Sequence, residues 1–193
     1  MKRLATLIAL AAVAATAQAA PETYNIDNTH TFPQFSYTHL GFSRQTQKFD
    51  KASGQVVLDR AAKTGSVDVT IDATSVNTGY ALFNQHIQGE DYFDTARYPI
   101  ITFKSGTMTF KGDEPTSLTG NLTIKGVTKP VTLTITHFMC MPHPMLKVPA
   151  CGANATATLK RSDFNMGKNV PYVGDEITLT LAIEATKAPS TAQ

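Results

Sequence analysis

Between Gly65 and Thr78 the chain reads GSVDVTIDATSVNT. Val67, Val69, Ile71 and Ala73 alternate with Asp68, Thr70, Asp72 and Thr74. A period of two puts the aliphatic set on one face of a strand and the acids and threonines on the other. Such a strand has a dry side and a wet side, as in an antiparallel sheet with one solvated face. The signature returns at Ile101 and Phe103, continuing through Met108 and Phe110 after Gly106, and at Leu118, Leu122 and Ile124. It returns again at Val131, Leu133 and Ile135, at Ala153, Ala155, Ala157 and Leu159, and at Ile177, Leu179, Leu181 and Ile183. Shorter strands are expected at Tyr24–Asp27, Phe35–His39 and Gly54–Asp59.

Residues 80–94 break the alternation. Leu82, Phe83 and Ile87 stand at helical spacing and Gly89 would end the turn, so one short helix is expected in a long connection. About eight evenly spaced strands with a single helical interruption predict an all-β antiparallel barrel or sandwich. The inward row Ala153, Ala155, Ala157 favours space inside. Small side chains leave volume that larger neighbours must fill, and an eight-stranded barrel is about the size that holds one ligand. Aromatic side chains from the facing wall are the competing occupants.

The start of the chain is of another kind. Lys2 and Arg3 precede an apolar run from Leu4 to Ala17, and Ala17-Gln18-Ala19 offers a small-x-small cleavage site. That is the pattern of a secretory signal peptide over residues 1–19; the run is shorter than the roughly 20 apolar residues of a membrane anchor. Residues 20–187 then form one domain, and 188–193 a short, polar, flexible tail. The chain carries 17 Lys and Arg against 15 Asp and Glu, and two of the basic residues lie in the leader, leaving 15 against 15. No basic cluster remains to act as a phosphate-binding footprint, so nucleic acid is not an expected partner.

Two cysteines, Cys140 and Cys151, remain. In an oxidising compartment an isolated pair defaults to a disulfide, here clipping the loop between them. Other uses stay open. His137, Cys140, His143 and Cys151 supply nitrogen and sulfur ligands, with thioethers at Met139, Met141 and Met145. Soft ligands suit Cu(I), a reduced Cys₂His₂ set suits zinc, and a redox-active thiol pair is the third use. Catalytic signals are thin. There is no GxSxG, HExxH, CxxC or glycine-rich phosphate loop, and Ser162-Asp163 beside Arg161 has no histidine at a diagnostic spacing. The expectation is a protein that is not an enzyme.

Five segments in order, YNIDNTHTFPQFSYTHLGFS, SVDVTIDATSVNTG, HIQGEDYFDTARYPIITFKS, GNLTIKGVTKPVTL and LKRSDFNMG, resemble the YceI-like proteins from about Tyr24 to Ala185. These are secreted bacterial lipocalin-like proteins, also called polyisoprenoid-binding. Two positions depart from the family pattern: Asn165 and Gln47 stand where glycine is usual. Both are expected in turns or at strand ends, where asparagine tolerates a positive φ.

The resemblance implies an extended eight-stranded antiparallel lipocalin-like barrel whose channel carries a polyisoprenoid, an isoprenoid quinone or a similar amphiphile. The interior rows that would line the channel are Val67, Val69, Ile71, Phe103, Leu122, Ile124, Val131, Leu133, Ile135, Ala155, Ala157, Leu179 and Leu181. Each serves equally well as ordinary core. Only the rows together argue for a ligand. The resemblance points to His39, His86, Asp91, Arg97, Arg161 and Asp163 as head-group ligands, although the two arginines could instead cap turns and pair with nearby carboxylates. The expected protein is a periplasmic lipid carrier with no required cofactor. The alternative is a metal- or redox-handling protein using loop 137–151. Transient contact with the inner membrane or a membrane protein fits this role; the oligomeric state is open, a homodimer included.

Overall fold

The computed structural model describes residues 20–189. The expected leader and the last four residues of the expected tail lie outside the described residues. Eleven strands are present: β1 (Glu22–Ile26), β2 (Gln34–His39), β3 (Ser43–Phe49), β4 (Ala52–Asp59), β5 (Thr64–Asp72) and β6 (Val76–Asn77), then β7 (Ile100–Lys111), β8 (Glu114–Ile124), β9 (Val127–Pro142), β10 (Pro149–Lys160) and β11 (Glu176–Lys187). One helix, α1 (Ala81–Ile87), lies in the connection where helical spacing placed it; a 3₁₀ turn at Ala73–Ser75 precedes it and another at Arg161–Phe164 comes after β10. No helix among the described residues is long and apolar enough to cross a membrane.

Eight strands close the barrel in the order β1-β4-β5-β7-β8-β9-β10-β11, with β1 pairing antiparallel to β11 through Tyr24↔Lys187 and Ile26↔Ala185. All neighbours are antiparallel, as hairpins and short connections allow. The long ladders come from the alternating threonine- and valine-rich runs, whose branched side chains suit a half-buried pleated surface. Closure joins the two ends of the eight-stranded sheet beside β11. There, β1 covers the end at residues 185–187, and β2 covers the start at Thr178–Thr180. β3 extends the β2 hairpin and carries the two-residue β6.

Register shifts decide which side chains point inward. Ala155 of β10 faces Ile135 of β9 but Asn154 faces His137, so Thr136 is an extra residue in β9. A bulge flips the parity of all that follows. Phe138 and Cys140 therefore turn inward while His137, Met139 and Met141 turn out. Gly106 does the same between Phe103 and Met108 in β7. In β8 Gly120 admits the ring of Phe103: a Cβ there would sit 2.8 Å from Phe103 Cζ and 2.5 Å from the Lys104 carbonyl.

The interior divides into two clusters. The larger runs from Phe35, Phe49 and Phe93 down the channel rows to Leu118 and Leu133. The smaller plugs the far end with Tyr24, Leu58 and Ala185, against which Met108, Phe110, Phe138 and the Cys140–Cys151 bridge pack. At the near end, α1 with its following residues and the connection 161–175 cover the barrel, inserting Ile87, Phe93, Phe164 and Met166. Arg161 holds that connection in place from beneath. Buried, it donates Nε to the Gly174 carbonyl (2.9 Å), Nη1 to the carbonyls of Lys168 (2.8 Å) and Met166, and Nη2 to that of Val173 (2.8 Å).

Candidate functional site

The barrel encloses a cavity of about 400 Å³ that runs from Tyr24 and Phe138 at the plugged end to His39 and His86 at the other. Its wall is overwhelmingly apolar. The opposite strands contribute Val67, Val69 and Ile71 from β5, Leu122 and Ile124 from β8, Val131, Leu133 and Ile135 from β9, and Leu179, Leu181 and Ile183 from β11. The alanine row meets long partners across the ladder, Ala153 with Ile183 and Ala155 with Leu181. Alternating small and large inward residues thus set the bore.

Four lining residues are exposed: Gln34, His39, His86 and Asn169. Three of them, from the end of β2, from α1 and from the 161–175 connection, mark where the cavity opens. His86 lies between Phe83, on which it stacks (6.0 Å), and Tyr92, to which it is tilted (5.0 Å), and the Asn169 amide donates to the Tyr92 hydroxyl at 3.0 Å. His39 is tied to Val173 by a bridge between backbones. The mouth is therefore polar and aromatic above a dry bore. Burial pushes the Tyr37 hydroxyl pKa upward, and at the plugged end burial and a bond to Glu22 raise Tyr24 to about 12. Both phenols stay neutral at physiological pH.

Every expected channel residue except Ala157 lines the cavity; Ala157 is buried beside it. The expected head-group set is divided. His39, His86 and Arg161 touch the cavity, but Arg161 spends four of its five N–H donors on backbone carbonyls. Burial also lowers its pKa. Asp91, Arg97 and Asp163 lie outside the cavity lining. Asp91 pairs with Lys168, Arg97 Nε donates to buried Asp94 at 2.6 Å, and Asp163 points to solvent. Arg97 and Lys168 are each held above their ordinary pKa by these partners.

Sequence reasoning missed the aromatic gate below the mouth. Phe35, Phe49 and Phe93 pack edge-on and tilted at 5.4–5.8 Å between centroids. Phe35 was visible as an inward strand position, but Phe93 sits in the irregular connection, where no periodicity marks it. Gln47 also departs from expectation. It lies inside β3 with its side chain buried, whereas Asn165 takes the left-handed conformation (φ 57°) that closes the 3₁₀ turn.

The alternative metal set is not assembled. Cys140 and Cys151 are register partners on β9 and β10 and are joined by a disulfide, so no thiolate is free for a metal. His137 points outward, and His143 uses Nδ1 to accept from the backbone N–H groups of Met145 and Leu146. The expected loop is largely strand, with a short turn at its tip.

A closed antiparallel barrel with a dry bore and a polar mouth defines a lipocalin-like protein. The YceI-like domain family matches residues 24–185, and the chain belongs to that family. Protein YceI of Escherichia coli O157:H7 is 34% identical over 167 residues, covering 85% of this chain and 86% of its own. The crystal structure of BcnA from Burkholderia cenocepacia superposes with a TM-score of 0.69 at 28% identity, covering 83% of this chain and 99% of that one. A polyisoprenoid binding domain from Saccharophagus degradans, implicated in plant cell wall breakdown, shares the fold with a TM-score of 0.65 at 17% identity, covering 86% and 98%.

Proposed function

We propose that the protein binds an isoprenoid lipid, such as a polyprenyl chain or an isoprenoid quinone, and shields its tail from water. The observation that carries this reading is the apolar cavity of about 400 Å³ with its polar end at His39, His86 and Asn169. Its size falls in the range of about 300–1,000 Å³ typical of small-molecule sites. The Saccharophagus domain named as polyisoprenoid binding lends the same fold to the reading. The mechanism is sequestration, with no bond made or broken. Secretion through the leader would make it a periplasmic carrier.

Magnitudes restrict the ligand. Each buried CH₂ contributes about 0.8 kcal/mol, so an isoprene unit of five carbons contributes about 4 kcal/mol. Association itself costs about 4–15 kcal/mol. One unit therefore binds too weakly to measure, and affinity rises steeply over the next few. Growth stops once the bore is full. Calorimetry or competition with prenols of increasing length tests this: affinity should climb with chain length and then level off. Affinity independent of tail length would contradict the reading.

A further inference from the structure

Three segments meet at the cavity mouth, and each carries a lining residue beside an exposed apolar one. The β2–β3 turn lines the cavity with His39 and exposes Leu40 (49%) and Phe42 (87%). The 161–175 connection lines it with Asn169 and Val173 and exposes Val170 and Tyr172 (73%). α1 lines it with Phe83 and His86 and exposes Leu82, with Tyr80 just before its first turn. The segments are linked: the Leu40 N–H donates to the Tyr172 carbonyl at 2.8 Å, and Asn169 reaches Tyr92, against which His86 packs at a tilt.

The turn itself is costly for its sequence. Leu40 and Gly41 both have positive φ (53° and 75°) in the three-residue turn between His39 and Ser43, a conformation that glycine and asparagine adopt far more readily than leucine. A leucine there bears backbone strain as well as exposure to water. Strain and exposed apolar surface kept together at one tip point to a contact made there.

We propose that this rim is the surface by which the protein docks on a lipid bilayer, with Leu40, Phe42 and Tyr172 entering the interface. Leucine, phenylalanine and tyrosine at the tips suit the boundary between headgroups and acyl chains. None of the six tip residues is charged, so the contact is apolar and indifferent to anionic lipid. With the mouth seated in the interface, a tail moves between bilayer and bore without crossing water. The inference rests on the cavity being a lipid site, because only then must the mouth face a membrane.

The test uses the double variant Leu40→Asn, Phe42→Ser, which removes both apolar tips while placing asparagine where φ is positive. Fold and thermal midpoint are therefore kept or improved. A matched control, Met145→Asp, changes an equally exposed apolar residue at the opposite end. Co-sedimentation with phosphatidylcholine vesicles reports docking; prenol uptake from an ethanol dispersion reports the cavity.

Wild type and control should pellet equally, with and without phosphatidylglycerol and at low and high salt. The double variant should pellet at least tenfold less, take up dispersed prenol normally, and extract prenol from vesicles more slowly. Wild type that fails to pellet, a double variant that pellets normally, or pelleting that vanishes at high salt would each overturn the rim as a membrane surface. Failure of uptake from dispersion would instead remove the cavity reading, leaving pelleting to judge the rim on its own.

Discussion

Ala155 of β10 and Leu181 of β11 stand opposite each other across the ladder, both on the cavity wall. The methyl group on one side leaves the bore that the isobutyl group on the other narrows. Phenylalanine at position 155 would occupy open volume rather than displace packed core, so the usual overpacking cost of about 1–3 kcal/mol is largely avoided. Ala155→Phe should therefore fold with a thermal midpoint near wild type and bind prenol at least tenfold more weakly. Titration alongside thermal denaturation checks both halves.

Arg161 ties together four carbonyls of the connection that covers the near end of the barrel. Hydrogen bonds to a charged group contribute about 1.5–3 kcal/mol each, and buried carbonyls left unpaired add their own cost. Arg161→Ala should lose at least about 3 kcal/mol in urea unfolding. Arg161→Lys should recover little of it, since a single ammonium cannot reproduce the guanidinium fork.

Asp27 accepts from the Thr29 hydroxyl (2.6 Å), the Thr29 N–H (2.8 Å) and His30 Nδ1 (2.8 Å). These bonds hold its carboxyl at a pKa of about 2. A depressed folded-state pKa gives stability that is fully present above the ordinary carboxylate range and is lost as pH falls through about 2. His30 shifts the opposite way, raised by its bond to Asp27, so its contribution is present in acid and lost as pH rises through the raised value. The stability gap between wild type and Asp27→Asn should thus be widest at mildly acidic pH and close near pH 2. An NMR titration should show the His30 midpoint falling in the variant.

The Cys140–Cys151 bridge spans 11 positions and joins neighbouring strands at the plugged end. Loop closure of that size contributes about 2–3 kcal/mol in the chain-entropy account. Replacing both cysteines with alanine should lower the urea midpoint accordingly.

The barrel was legible because local alternation suffices to mark a half-buried strand. Val67, Val69 and Ile71 needed no knowledge of their neighbours. Phe138 and Cys140 did, since their inward aim depends on the extra residue Thr136 and on pairing with β10. β3 escaped notice because SRQTQKF is exposed along most of its length and has no apolar rhythm. The site followed the same division. Channel rows are periodic and were readable. The partners of Asp91, Arg97 and Arg161 are set by connections that fold back over the barrel, so sequence alone could not say that these charges were already engaged.

Native mass spectrometry on protein isolated from its host without detergent, with organic extraction of any adduct, tests the central claim most directly. Wild type should carry one lipid with an isoprenoid fragmentation pattern, and Ala155→Phe should appear as the bare polypeptide. A bare wild-type mass, unchanged after incubation with polyprenols and quinones, would contradict the account.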